Sequence, residues 1–266
     1  MFDSIAGDYD ALNHILSLDV DKIWRKKALK QIVDAPAPAR VLDLACGTGD
    51  FSIAIAKALS RSHKRVVTPI EAHVKASVKA PVEAQVTSTG FVTGDSGRSD
   101  LMTKGHVTGV DLSEGMLAVM REKVQKSGLT EMISIEEGDG ENLRFPDNTF
   151  DRVTIAFGIR NFENREKGLR EMLRVLKPGG RLVILELSRP ENKVIRWFYD
   201  LYFLHILPKI GGKVSGDKAA YAYLPASVAA FPGKKAFMAT MREAGFRTVT
   251  HKAFTLGICR MYTGEK

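Results

Sequence analysis

The chain has 266 residues, of which 44% are hydrophobic and 26% charged, proportions that suit one α/β domain with additions and exclude a disordered or fibrous protein. Two distant cysteines, Cys46 and Cys259, make neither a disulfide framework nor a metal-ligand pattern, so a reduced, cytoplasmic setting is expected. The net charge of +8 is spread along the chain rather than packed into a basic block with aromatics. That pattern argues against a nucleic-acid partner and leaves attraction to an anionic membrane face open beside a merely solvated surface.

The chain opens without a basic segment followed by an apolar core, so no signal peptide is expected. No apolar run approaches the roughly 20 residues that span a bilayer. Residues 13–33 carry Ile15, Leu16, Ile23, Trp24, Leu29, Ile32 and Val33 at helical spacing, interrupted near Asp19. Pro36 and Pro38 close this N-terminal helical cap, residues 1–38. A strand at Arg40–Ala45 follows, then a turn holding Gly47 and Gly49, then an amphipathic helix to about Ser60. The order matches the first βα unit of a doubly wound sheet, with glycines that let a ligand approach the backbone. The glycines fall short of G-x-G-x-x-G, and a turn present only for packing is the alternative.

Residues of about 61–105, rich in Val, Ala, Lys, Ser, Thr and Gly, hold no lasting period and read as an insertion outside the active site, flexible or a weak β-ribbon. The α/β rhythm resumes with a strand at Val107–Asp111 and a helix capped by Ser113 that runs to about Lys126. A short strand at Met132–Glu136 leads to Gly138, Asp139 and Gly140, and another spans Phe150–Phe157. A helix at about Arg165–Leu176 stops at Lys177-Pro178-Gly179-Gly180, and Arg181–Leu187 reads as a strand buried on both faces. Val194–Leu207 is aromatic (Trp197, Phe198, Tyr199, Tyr202, Phe203) and suits either an apolar groove or ordinary core. A helix at Lys234–Ala244 precedes a closing antiparallel pair, Arg247–Phe254 and Ile258–Thr263. About seven strands alternate with helices until that pair.

An acid before G-x-G resembles the nucleoside-binding loop of S-adenosylmethionine methyltransferases. Such a donor needs room beside its backbone, which Gly47 and Gly49 supply, with Thr48 adding a hydroxyl or amide contact. Asp111 ends the second strand, where a carboxylate accepts hydrogen bonds from a ribose. Asp139 and the Gly140 backbone follow the third strand, where they read an adenine edge. One acid at a strand end is often only a cap, but three at successive strands favour a ligand. A nicotinamide cofactor ranks lower, because the glycine fingerprint is incomplete and the Lys-Pro-Gly-Gly turn has no clear role in it.

Longer motifs carry a closer resemblance. Tyr9-Asp10-Ala11-Leu12-Asn13 with Ser17 and Trp24, Phe157-Gly158-Ile159-Arg160-Asn161, the run Arg174–Ser188, and Ala220–Pro225 with Ser227-Val228 and Phe231-Pro232 resemble the quinone-ring C-methyltransferases of menaquinone and ubiquinone biosynthesis. The resemblance covers nearly the whole chain except about 61–105. The resemblance implies one class I methyltransferase domain over residues 1–266 with a Rossmann-like sheet, S-adenosylmethionine as methyl donor, and a prenylated quinol, demethylmenaquinol, as acceptor. Its donor contacts fall on Thr48, Asp111, Asp139 and Gly140, and on Ala156, where a frequent serine is missing and only backbone contact remains. Leu12 stands for a usual methionine. Asp21 stands where some members carry histidine, and no proton transfer is assigned to it. Tyr9 and Asp10 belong to a lid over the donor, with Asp10 either a base or a helix cap. Arg160 and Asn161 hold the quinol oxygens, or else form a structural ion pair and turn. His205 reads as packing, and the reaction is expected to be metal-free. Peripheral contact with the inner membrane face and a homo-oligomer stay open. So do three other readings: a benzoquinol of ubiquinone biosynthesis, another small molecule, and an inactive donor-binding module.

Overall fold

The computed structural model describes residues 20–35, 39–61, 105–202 and 218–266. The expectations for Tyr9, Asp10, Leu12, His205 and the interior of the 61–105 segment lie outside these residues.

The described elements are α1 (Val20–Ile32), β1 (Arg40–Leu44), α2 (50–61), β2 (His106–Asp111), α3 (Glu114–Lys126), β3 (Ile133–Glu137), β4 (Phe150–Ala156), α4 (Arg165–Val175), β5 (Leu176–Leu187), α5 (Lys193–Leu201), α6 (Lys218–Ala230), α7 (Lys234–Glu243), β6 (Arg247–Phe254) and β7 (Cys259–Glu265). Seven strands form one sheet in the order β3-β2-β1-β4-β5-β7-β6. β1 to β5 run parallel, and β7 is antiparallel to both of its neighbours. The chain winds outward from β1 to β3, then returns to the other side of β1 with β4. The strand order therefore reverses between β1 and β4, and a crevice opens beyond their carboxyl ends.

Successive strand residues point to opposite faces, and here both faces are covered. Val41, Val107, Val183 and Leu185 pack with Trp24, Ala28 and Ile32 of α1, Phe51 and Ile55 of α2, and Leu117 and Met120 of α3. Leu42, Leu44, Val153, Ile155, Leu182 and Ile184 pack with Leu169 and Met172 of α4 and Phe237 and Met241 of α7. Double coverage explains why the central strands are near-continuously apolar. Each such side chain contributes roughly 1.5–3 kcal/mol on burial. Trp24 also donates its ring N–H to Thr255 Oγ1 at 2.9 Å, tying α1 to the β6–β7 turn. Ser113 caps α3 by accepting from the Met116 amide at 3.3 Å.

The structure revises the sequence reading at two places. First, α4 ends at Val175, and the Lys-Pro-Gly-Gly residues lie inside β5 rather than before it. Leu176 pairs with Phe150 and Arg181 with Arg152, so the intervening residues bulge out of the ladder. Gly179 sits at φ +75°, and a Cβ on Gly180 would lie 2.8 Å from the Lys177 carbonyl. Second, the described part of the aromatic stretch, up to Tyr202, is not ordinary core. In α5 only Tyr199 is buried, while Trp197 and Phe198 are 61% and 60% exposed. Among the described residues, no helix is long and apolar enough to cross a membrane.

Candidate functional site

The site grows from the ends of four strands. Asp43 lies inside β1, fully enclosed, and accepts a 2.5 Å hydrogen bond from Ser52 Oγ of α2. Burial raises its pKa to about 7; the Ser52 bond and the Arg25 charge oppose this, and the Asp111 charge adds to it. After Leu44 the backbone enters the left-handed region at Ala45 (φ +47°) and again at Gly47 (φ +55°). Ala45 is not a glycine, so the conformation is held against its own preference by the surroundings. One tie is the Gly47 amide, which donates to Asp111 Oδ2 at 2.8 Å. The Ser113 amide donates to Asp111 Oδ1 at 2.9 Å. Asp111 thus clamps the glycine turn to the start of α3. Each oxygen of a carboxylate has two lone pairs, so a ribose can be accepted as well.

A cavity of about 480 Å³ opens at this edge. That volume is in the range of small-molecule sites. It gathers Gly47 from the first turn, Asp111 from β2, Asp139 and Gly140 beyond β3, Ala156 ending β4, and Asn161 from the 3-10 turn that follows. Six of the residues singled out in the sequence therefore meet in one place. Leu112, Ser113 and Met116 extend the wall along α3, and Phe157, Phe162 and Glu163 close the other side. Phe157 also has positive φ, +63°. Two strained residues, at the ends of β1 and β4, thus face one cavity.

Other expected residues stand elsewhere. Gly49 is outside the cavity lining: a Cβ there would fall 2.4 Å from Met120 Cγ, so this glycine serves the packing of α3. Thr48 is buried and accepts from Lys123 Nζ at 3.1 Å. It lines a smaller adjoining cavity with Arg25, Asp43 and Asp50. Gly140 borders the main cavity, yet its missing Cβ is explained by Phe162, whose ring carbon would lie 2.5 Å from it. Asp139 accepts from the Glu141 amide at 2.8 Å, which shapes the loop. Asp21 is buried beside Arg25, 3.4 Å away.

Arg160 is the main correction. Its guanidinium does not line the cavity, although Asn161 beside it does. Arg160 is buried and pairs with Glu186 of β5 at 2.8 Å, and also donates to the Phe157 carbonyl. Glu186 is completely buried and further accepts from the Arg160 and Leu187 amides at 3.1 and 2.8 Å. A buried carboxylate needs such a partner, so the arginine is spent on the scaffold. Asn161 differs: its Oδ1 accepts from Tyr223 Oη of α6 at 2.9 Å. Sequence reasoning gave no role to Glu186 or Tyr223, although both fall in runs that carry the family resemblance, Arg174–Ser188 and Ala220–Pro225. Nothing local marked Tyr223 as the neighbour of Asn161.

Cys46 beside the turn is half-buried, and burial with the Asp43 and Asp111 charges pushes its thiol up, away from nucleophilic use. Among the described residues, no three His, Cys, Asp or Glu side chains stand together as a metal cluster.

A family model described as the ubiE/COQ5 methyltransferase family matches residues 1–266. The chain belongs to this family. It is 44% identical to the "Ubiquinone/menaquinone biosynthesis C-methyltransferase UbiE" of Geobacter sulfurreducens, over 100% of the chain and 87% of the relative. It is 38% identical to the "Demethylmenaquinone methyltransferase" of Bacteroides fragilis, over 100% and 91%. Among solved structures, a SAM dependent methyltransferase from Aquifex aeolicus superposes with a TM-score of 0.54 at 19% identity, covering 90% of this chain and 88% of its own. The [4+2]-cyclase SpnF superposes as well, with a TM-score of 0.56 at 15% identity, covering 90% and 80%. The fold is shared across different chemistries, and membership of the ubiE/COQ5 family decides for methyl transfer. The enzyme is a methyltransferase, and its donor is S-adenosylmethionine. The site fits that donor: a carboxylate at the end of β2, a second acid beyond β3, and an open glycine turn all border one cavity.

Proposed function

We propose that this enzyme methylates a ring carbon of demethylmenaquinol to give menaquinol. The observation that carries the reading is the cavity in which Asp111 and Asn161 face one space, in a chain matched end to end by the ubiE/COQ5 family. The names of relatives at 37–44% identity point to the same quinone chemistry.

S-adenosylmethionine supplies an electrophilic methyl group when bound. Asp111 would accept from its ribose hydroxyls, Asp139 and the Gly140 backbone would meet its adenine, and Gly47 leaves the backbone open beside it. Thr48 contributes its amide or its hydroxyl in this reading, since a hydroxyl that accepts from Lys123 still has its own proton to donate. Ala156 offers backbone only. A ring carbon is a weak nucleophile until a neighbouring hydroxyl gives up its proton. Asn161, with its oxygen engaged by Tyr223, presents its amide N–H groups to a quinol oxygen and stabilises the charge that develops there. Arg160 acts one step back, by holding the turn that carries Asn161. Tyr9 stays in the proposal as part of a lid and Asp10 as the base. Peripheral contact with the membrane brings the enzyme to its lipid acceptor.

The test mixes the purified chain, methyl-labelled S-adenosylmethionine and demethylmenaquinol, and follows the label into the lipid. Labelled menaquinol is the expected product. Label entering only a prenylated benzoquinol would move the acceptor to ubiquinone biosynthesis, the second pathway in the name of the 44% identical relative.

A further inference from the structure

Among the described residues, seven large hydrophobic side chains are conspicuously exposed, and six of them lie in the segments that leave the carboxyl ends of β2, β5 and β6. Leu112 follows β2 and borders the cavity, 67% exposed. Leu256, 72% exposed at φ +56°, sits in the β6–β7 turn. The Gly257 carbonyl of that turn accepts from Ser188 Oγ at 2.7 Å, which places the turn beside the β5–α5 connection. The other four, Val194, Trp197, Phe198 and Leu201, belong to α5. Their spacing of i, i+3, i+4 and i+7 puts them on one face of the helix. Trp197 and Phe198 already stack edge to face, with ring centroids 4.9 Å apart. A free helix normally turns such a stripe into the core. Here the single inward residue is Tyr199, within electrostatic reach of Arg160 next to the site.

We propose that the exposed face of α5, with Leu112 and Leu256, seats the enzyme in the headgroup region of an anionic bilayer, with the cavity facing the lipid. The inference rests on the quinol reading and names the surface that serves it. Three observations favour a bilayer. The stripe carries Trp, Phe, Leu and Val with Lys193 and Arg196 on the same helix, the make-up of an interfacial helix. The chain carries a net charge of +8, which suits an anionic leaflet. The six side chains together offer roughly several hundred Å², short of the ~800 Å² per partner that a stable dimer buries.

The chain has two tryptophans, and Trp24 is buried at 4% exposure, so the solvent-exposed emission belongs to Trp197. The full chain is mixed with vesicles of phosphatidylcholine, with and without phosphatidylglycerol, at low and high salt. The expected result is a blue shift of Trp197 with the anionic vesicles, quenched by brominated lipid and weakened by salt. Trp197→Gln with Phe198→Gln should lower vesicle affinity at least about tenfold, with circular dichroism and S-adenosylmethionine binding unchanged. No shift with either vesicle overturns the proposal. A shift that follows protein concentration without lipid overturns it in favour of a second copy. Emission already blue in the dilute, lipid-free chain overturns it in favour of cover by residues 203–217. Failure of the quinol reading is separate: the wild-type enzyme would then label no quinol, whether soluble or vesicle-borne, whatever the vesicles do to Trp197.

Discussion

Arg160 shows how a side chain can read as catalytic and act as scaffold. Its neighbour in sequence enters the cavity, but its own charge is paired with Glu186 beneath it. Removing one partner of a buried pair leaves the other uncompensated, which costs about 3–5 kcal/mol. Arg160→Ala is therefore expected to lose that much stability in urea unfolding. Arg160→Met with Glu186→Gln should recover more than half of it. Equal loss in the single and double variants would show that the pair does not carry the effect.

Asp43 gives a second test at this scale. Its folded pKa of about 7 lies above the ordinary 3.8, so between those values the folded state holds more protons than the unfolded one. Stability therefore falls as pH rises from about 4 to 7 and levels off above, by about 4 kcal/mol for a shift of this size. Asp43→Asn keeps an oxygen for Ser52 and removes the titration. The stability of the variant relative to wild type should rise across that window. Parallel pH profiles for the two proteins would remove Asp43 as the cause.

At the level of elements, period and punctuation in the sequence placed the seven strands and most helices of the described residues, because each central strand is buried on both faces; α5 and α6 were not marked as helices. The misplaced boundary at Lys177–Gly180 has a plain reason: Pro and Gly signal a break, but not whether the chain leaves the sheet or bulges within it. That choice belongs to the pairing of Leu176 with Phe150. The two ends of the 61–105 segment fall at one place in the fold. It leaves α2 at 61 and re-enters at Gly105, which packs against Ala39 just before β1, at the amino edge of the sheet. The cavity is at the carboxyl edge. Replacing residues 62–104 by a short Gly-Ser linker should leave kcat/KM within about threefold of wild type. A loss of a hundredfold in an otherwise folded variant would show that the segment reaches the site.

For the molecule as a whole, ligand binding couples the two halves of the sheet, because the cavity straddles the point where the strand order reverses. S-adenosylmethionine at a hundred times its Kd is expected to stabilise the enzyme by about 2.7 kcal/mol, raising Tm by roughly 5–10 °C. Asp111→Asn should abolish most of that rise. A full shift in the variant would remove Asp111 from donor binding.

The sequence by itself determined the doubly wound order, the strand-end acids and the family, since these follow from local period, turn chemistry and contiguous motifs. It also brought Gly47, Asp111, Asp139, Gly140, Ala156 and Asn161 to notice before their meeting in one cavity was visible. Only the tertiary structure decided where side chains point. Arg160 turns inward because a buried Glu186 on another strand requires it, Gly49 yields its space to Met120, and Asn161 is braced by Tyr223 from a helix 62 residues away. The same holds for α5. Its aromatic run looks identical in sequence whether buried or bare, and packing around Tyr199 alone leaves Trp197 and Phe198 outside.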